Sequence, residues 1–205
     1  DVLYKIDDNK NIIGPSDDKL LNIDELSIPG EHNLQNFLAA STCSHLMGIS
    51  QNQIVKSMKE FKGVEHRLEY VRTINEADYI NDSKATNIDS VIVAINTYKQ
   101  PIVLILGGFN KGANFRLLLP HIKSSHVRDI VSYGDAGGHI NTALGDAVRS
   151  VQVTDLSSAV KKAQLMAAPG DIVLLSPGCA SYDEFSNFEE RGNHFKSIIK
   201  NLTAS

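Results

Sequence analysis

The sequence predicts an α/β protein: a Rossmann-like, doubly wound, mostly parallel sheet over residues 63–205, preceded by a shorter segment of strands and two helices over 1–62. Three observations carry this. After Gly63 short apolar runs alternate with amphipathic stretches, the rhythm of repeated strand–helix units. Runs such as Ile102 to Leu106 are apolar without alternation, as strands covered on both faces require. The last amphipathic stretch carries Phe185, Phe188, Gly192, Phe195, Ile199 and Leu202 at spacings of three and four, a core-facing helical stripe.

Taken in order, Val2 to Ile6, Ile12-Ile13 and Leu20 to Ile28 alternate with polar turns and read as two or three antiparallel strands. Pro29-Gly30 breaks that pattern. A helix follows from Glu31, with Leu34, Phe37, Leu38, Cys43, Leu46 and Met47 on one face and Gly48 as its stop. A second helix spans about Ser50 to Phe61, burying Ile54, Val55, Met58 and Phe61, and Lys62-Gly63 reads as a boundary. Beyond it, residues 66–74 and 77–81 predict a hairpin around Asn75-Glu76. Helices are then expected at 88–98, 115–122, 138–148 and 156–167, with strands at 102–106, 129–133, 151–153 and 172–175. A last, long helix closes the set.

Composition narrows the function classes. The chain has 205 residues, 42% hydrophobic and 21% charged, with net charge -4, which suits one large domain or one and a half smaller ones. No basic stripe or aromatic platform accompanies that acidic balance, so nucleic acid is not an expected partner. No apolar run has the length of a membrane span, which argues against a membrane partner. Cys43 and Cys179 lie far apart and read as reduced thiols of a cytoplasmic protein, and the seven histidines lack metal-ligand spacing, so no metal site is expected. The expected state is a monomer. Residue 1 is Asp and the first strand starts in mid-flow, so the chain is expected to be a piece of something longer.

In a doubly wound sheet ligands bind outside the carboxyl ends of the strands. Three polar turns sit at such ends. The first is Asn81-Asp82-Ser83-Lys84-Ala85-Thr86-Asn87, which puts a carboxylate, an ammonium and two hydroxyls between a strand and a helix. Thr86 or Asn87 can cap that helix, with Asp89 completing a capping box after Thr86, but capping leaves Asp82 and Lys84 unexplained. The second turn, Gly107 to Gly112, contains Lys111; alone it is a turn needing positive φ beside a solvated charge. The third, Ser176 to Ser181, ends on Ser181, which with Glu184 matches a capping box for the last helix. Cys179 has no neighbouring base and reads as packing. Together the turns offer cations, hydroxyls and a helix N-terminus at one rim, a combination suited to a small molecule with carboxylates. No Gly-Lys-Ser or Gly-Lys-Thr and no Gly-x-Gly-x-x-Gly occurs, so neither a P-loop nor a dinucleotide fingerprint is present.

These turns, with Gly30 to Asn36, Glu65 to Glu69, and the run Phe185, Asn187-Phe188, Glu190-Arg191-Gly192, resemble the Mur ligases in order and spacing. The Asn81 to Asn87 run is similar to the branch that adds D-glutamate, and the Asp-Asn-Pro-Arg motif of the branch adding diaminopimelate or lysine is missing. The resemblance implies a three-domain enzyme of peptidoglycan synthesis, of which this chain would be the end of the central ATPase domain plus the whole third domain. It implies ATP and Mg2+ as requirements of the complete enzyme, with none held by this chain alone. The partners implied are D-glutamate, ATP and, through missing domains, UDP-N-acetylmuramoyl-L-alanine. ATP would activate a carboxylate as an acyl phosphate, which the amine of D-glutamate then attacks. By the same resemblance Asn33 and Asn36 face adenine; His66, Arg67, Asp82 and Lys84 line the ribose and phosphates; Thr86, Lys111, Ser181 and Phe188 form the D-glutamate pocket, Phe188 through its backbone. For Asn33 and Asn36 a helix cap is the plain alternative. Two other readings stay open: a related ligase such as a folylpolyglutamate synthetase, and a binding module without catalysis.

Overall fold

The computed structural model describes residues 3–28 and 30–203. The chain divides into two compact units, one ending at Gly63 and the other starting at Val64.

In the first unit β1 (Lys5–Ile6), β2 (Asn11–Ile13) and β3 (Lys19–Asn22) form an antiparallel sheet. The Asp7 carboxylate accepts from the amides of Asn9 and Asn11 at 3.0 and 2.7 Å, closing the first turn. Leu3 and Tyr4 form a bend rather than strand, while the expected strand start at Val2 and the break at Pro29 lie outside the described residues. Helices α1 (Glu31–Leu46) and α2 (Gln51–Glu60) follow. The core is small: Tyr4, Ile12, Leu21, Phe37, Ile54 and Met58. It does not reach the last turn of α1, so Cys43 is exposed and Leu46 and Met47 stand 73% and 82% exposed instead of joining the buried face. Phe61 is 41% exposed, because it caps α2 and offers only an edge contact to Phe37.

The second unit opens with a hairpin of β4 (Glu69–Ile74) and β5 (Ala77–Asn81). Asn75 and Glu76 take φ of 49° and 61°, the left-handed pair that matches strand twist in a two-residue turn. The chain continues through α3 (Ile88–Thr97), β6 (Ile102–Gly107), a 3-10 turn at Phe115–Leu118 leading into α4 (Leu119–Ser124), and β7 (Val127–Tyr133). It ends with α5 (Gly137–Leu144), β8 (Arg149–Gln152), α6 (Leu156–Met166), β9 (Ile172–Gly178) and α7 (Phe188–Asn201). The six-stranded sheet has the order β4-β5-β9-β6-β7-β8, parallel except for β4 at the edge.

Alternate residues of β6 feed two cores. Ile102, Leu104 and Leu106 pack with Val91, Ile95 and Ile140, while Val103 and Ile105 pack with Val131, Val160, Phe195 and Ile199. Each such buried side chain contributes roughly 1.5–3 kcal/mol of transfer free energy, and this explains why the strands read as continuous apolar runs. The chain leaves β9 for α7 on one face of the sheet and leaves β6 for the 3-10 turn and α4 on the other, so the crevice between their carboxyl ends is a topological switch point, the usual ligand position in such sheets.

Several boundaries differ from the pattern: β3 stops at Asn22, where a 3-10 turn capped by the Asn22 side chain takes over, and β4 starts only at Glu69, after a turn at 65–66. Helix α5 stops at Leu144 rather than 148. Strand β9 runs on to Gly178, since one extra residue near Ser176-Pro177 makes a register shift against β6 that accommodates the proline. Helix α7 begins at Phe188, so Phe185 lies before it; its N-cap is Asn187, whose Oδ1 accepts from Glu190 N at 2.7 Å. Ser181 therefore does not cap the last helix. Its carbonyl instead accepts from the amides of Glu184 and Phe185 at 3.2 and 2.8 Å, a local turn with the same residue signature.

Candidate ligand-binding rim

Strand β5 delivers the first polar turn to the carboxyl edge of the sheet. Asn81, its last residue, donates through Nδ2 to Glu69 Oε2 at 2.9 Å and lies 3.0 Å from His66 Nδ1. Its Oδ1 accepts from Ser83 N at 3.2 Å. Asp82 is buried, with Oδ1 accepting from Leu68 N at 3.2 Å and Oδ2 from Ser176 Oγ at 2.8 Å. Burial pushes its carboxyl up to about 7, against the lowering effects of the Ser176 and Leu68 bonds and the Arg67 charge. The segment before β4 folds onto this turn, because Lys84 N donates to His66 O at 3.0 Å. His66 adopts φ of 64° and packs edge-on to Phe188, and Gly192 leaves the room: a Cβ there would lie 2.2 Å from His66 Nδ1.

Arg191, fully buried on α7, ties three segments together. Its Nε donates to Ser83 Oγ at 3.0 Å and one terminal nitrogen to Ser83 O at 2.8 Å. The other terminal nitrogen donates to the carbonyls of Cys179 and Ala180 at 3.0 and 3.1 Å. Ser83 Oγ in turn donates to Phe188 O at 2.7 Å. The Cys179 thiol beside it is buried and pushed up to about 12 by that burial, so it packs rather than reacts.

Backbone bonds join the loops as well. Gly178 N donates to Ala85 O and Phe109 N to Ala180 O, both at 2.9 Å, and Ala136 N to Gly108 O at 3.0 Å. Gly107 and Gly108 allow this closeness: a Cβ at Gly107 would meet Tyr133 O at 2.3 Å, and one at Gly108 would meet Ala180 O at 2.3 Å.

Two lysines face open solvent on this rim, each resting on a ring. Lys84 Nζ is 4.7 Å from the centre of the Phe188 ring, and Lys111 Nζ is 5.0 Å from that of Tyr182. Phe188 is the first residue of α7, where amides lack intrahelical partners and the helix dipole favours anions.

The structure thus brings His66, Arg67, Asp82, Lys84 and Phe188 together around the β5 turn, with Ser181 and Lys111 on the adjoining loops. Thr86 is exposed on the same rim, and Asn87 alone caps α3, its Oδ1 accepting from Ser90 N at 2.9 Å. Asn33 and Asn36 sit at the start of α1 in the first unit, where the N-cap is Gly30 and no side chain makes the capping bond. Sequence reasoning gave no role to Asn81, Ser83, Ser176, Arg191 or Tyr182. Arg191 left a signal: a charged residue inside the stripe of Phe188, Gly192 and Phe195 points into the core. Among the described residues Glu65, His66 and Glu69 could group around a cation, but Lys196 already bonds both carboxylates. A separate open cavity of about 640 Å³ beyond β7 and β8 is lined by Asp135, Asp183 and Glu184 and repels anions.

Residues 66–179 match the Mur ligase, glutamate ligase domain. The chain belongs to the Mur ligase family. Among curated Mur ligases, the UDP-N-acetylmuramoylalanine--D-glutamate ligase of Clostridioides difficile is 44% identical over 95% of this chain and 44% of its own length. The protein of that name from Pelotomaculum thermopropionicum is 46% identical over 87% of this chain and 40% of its length. The chain therefore spans less than half the length of the curated relatives it matches. Solved structures share the fold: UDP-N-acetylmuramate-alanine ligase MurC of Thermotoga maritima superposes with a TM-score of 0.66 at 16% identity, over 92% of this chain and 42% of that one. Folylpolyglutamate synthase of the same organism gives 0.62 at 15% identity, over 98% and 47%.

Proposed function

We propose that this chain is the acceptor-binding and ATP-site-closing portion of an ATP-dependent ligase that joins D-glutamate to UDP-N-acetylmuramoyl-L-alanine. Residues 1–62 are then the end of the central ATPase domain and 63–205 the third domain, working in the cytoplasm as part of a monomeric enzyme. The observation that carries this reading is a pair of lysines that make no ion pair among the described residues, Lys84 against Phe188 at the α7 N-terminus and Lys111 against Tyr182 of the loop after β9, on a rim whose loops Arg191 ties together. A dicarboxylate needs such positive charge together with directional hydroxyls and amides.

In this reading Lys111 takes one carboxylate of D-glutamate, while Thr86, Ser181 and the Phe188 amide orient the rest, so that the amine meets the activated carbonyl. Lys84 and Arg67 face the nucleotide phosphates and His66 lies beside them. Asp82 accepts two protein hydrogen bonds, which suits a support for the ribose side that also holds the 66–68 turn. Asn33 and Asn36, on α1 of the first unit, are the residues assigned to adenine. Among the described residues the Glu65, His66 and Glu69 trio is closed by Lys196, so that group does not offer Mg2+ an open set of ligands. The chemistry is transfer of a phosphoryl group from ATP to the substrate carboxylate, attack of the D-glutamate amine on the acyl carbon, and departure of phosphate. The chain's residues supply positioning and charge.

Steady-state kinetics of the ligase carrying this sequence test the reading. An ion-assisted bond from Lys111 is worth roughly 1.5–3 kcal/mol, so Lys111→Ala should raise the D-glutamate KM by on the order of tenfold to a hundredfold with the ATP KM nearly unchanged. An effect on ATP alone would move Lys111 to the nucleotide side. The 205-residue chain by itself should release no phosphate from ATP above background.

A further inference from the structure

We infer that Tyr182 is a positioning residue whose ring holds the Lys111 ammonium ready for the acceptor carboxylate. The inference rests on the assignment of Lys111 to the acceptor. Lys111 Nζ lies 5.0 Å from the Tyr182 ring centre, inside the range of a cation–π contact. Its backbone is already fixed: Asn110 Oδ1 accepts from the amides of Gly112 and Ala113, both at 2.9 Å, and Gly112 turns the chain at φ of 87°. The side chain alone would still sweep a wide arc, since a lysine has four rotatable bonds.

The choice of partner matters. Among the described residues Lys111 makes no ion pair, so the ring restrains the cation without cancelling its charge. A carboxylate in Tyr182's place would hold the lysine equally well but would compete with an anionic ligand. A ring occupies one face of the ammonium and leaves its donors to reach an anion on the other. Tyr182 is suited to this, being 62% exposed yet directly following the buried Ser181 and the Phe109–Ala180 bridge. Lys84 on Phe188 repeats the arrangement at 4.7 Å on the nucleotide side.

The test uses the 205-residue chain with carbon-labelled lysine, titrated with D-glutamate. Ring current should shift the Lys111 ε-methylene protons upfield, the resonance being assigned by its loss in Lys111→Arg. Tyr182→Phe should keep that shift and the D-glutamate affinity. Tyr182→Leu should lose the shift and weaken D-glutamate binding by roughly two- to fivefold, with an unchanged melting temperature. An ordinary Lys111 position in the parent, or a Tyr182→Leu protein that binds D-glutamate as tightly as the parent, would overturn the inference alone. A parent that shows the upfield shift but binds no D-glutamate would overturn the acceptor assignment and this inference with it.

Discussion

Asn81 dictates which nitrogen of His66 carries the proton. Its amide cannot be turned over, because Nδ2 faces the Glu69 carboxylate at 2.9 Å and Oδ1 receives Ser83 N at 3.2 Å. His66 Nδ1, 3.0 Å from Nδ2, therefore accepts, and the neutral ring bears its proton on Nε2.

Side-chain nitrogen NMR should accordingly show an unprotonated Nδ1 and a protonated Nε2 for His66. Asn81→Asp removes both donors and sets a second carboxylate beside Glu69. The tautomer should reverse, and stability should fall by roughly 1–3 kcal/mol. An unchanged tautomer in that variant would show that Asn81 is not what orients the proton.

Asp82 sets a pH dependence of unusual sign. Its unfolded pKa is about 3.9, whereas in the fold burial holds it up at about 7. Between those values the native protein keeps a proton that the unfolded chain has lost. The contribution of Asp82 to stability is therefore full below about pH 4 and is lost as pH rises through 7, by roughly 4 kcal/mol in total. Asp82→Asn keeps an acceptor for Leu68 N and a donor for Ser176 Oγ. Its melting temperature relative to the parent should rise steadily between pH 4 and pH 8. A constant difference over that range would mean that Asp82 is ionised throughout.

Arg191→Ala should be the costliest single change on the rim. It strips donors from the carbonyls of Ser83, Cys179 and Ala180. Bonds from a charged donor contribute about 1.5–3 kcal/mol each before relaxation, so a loss above about 3 kcal/mol is expected. Arg191→Lys should recover little, since an ammonium cannot span carbonyls from two segments at once. Urea unfolding of the three proteins measures both, and near-parental stability of Arg191→Ala would show that the loops hold without it.

The parts legible in the sequence are those governed by local chemistry. The Asn75-Glu76 hairpin was readable because a polar pair opening on Asn, which tolerates positive φ, separates two strand-like runs, and β6 because burial on both faces leaves an unbroken apolar run. The Ser181 and Glu184 pattern misled because a helix cap and a single turn use the same short-range signal, and Asn187 lies only six residues on. Leu46 and Met47 misled because periodicity gives the direction of a face but not how far its partner reaches. At the rim, residue types and loops were readable, while the Arg191 fork, the His66 seat against Gly192 and the lysine–ring pairs were not. Those depend on pairs such as Arg191 with Ser83, His66 with Gly192, Lys84 with Phe188 and Lys111 with Tyr182, 71 to 126 positions apart, which no local pattern encodes.

The backbone bonds Ala85–Gly178, Phe109–Ala180 and Gly108–Ala136 lace the loops after β5, β9, β6 and β7 edge to edge. A loop grafted singly from another protein of this fold would arrive with the wrong stitches and leave its neighbours' amides unmet. The whole collar therefore behaves as one unit, so a redesign of this rim has to be drafted across four loops at once.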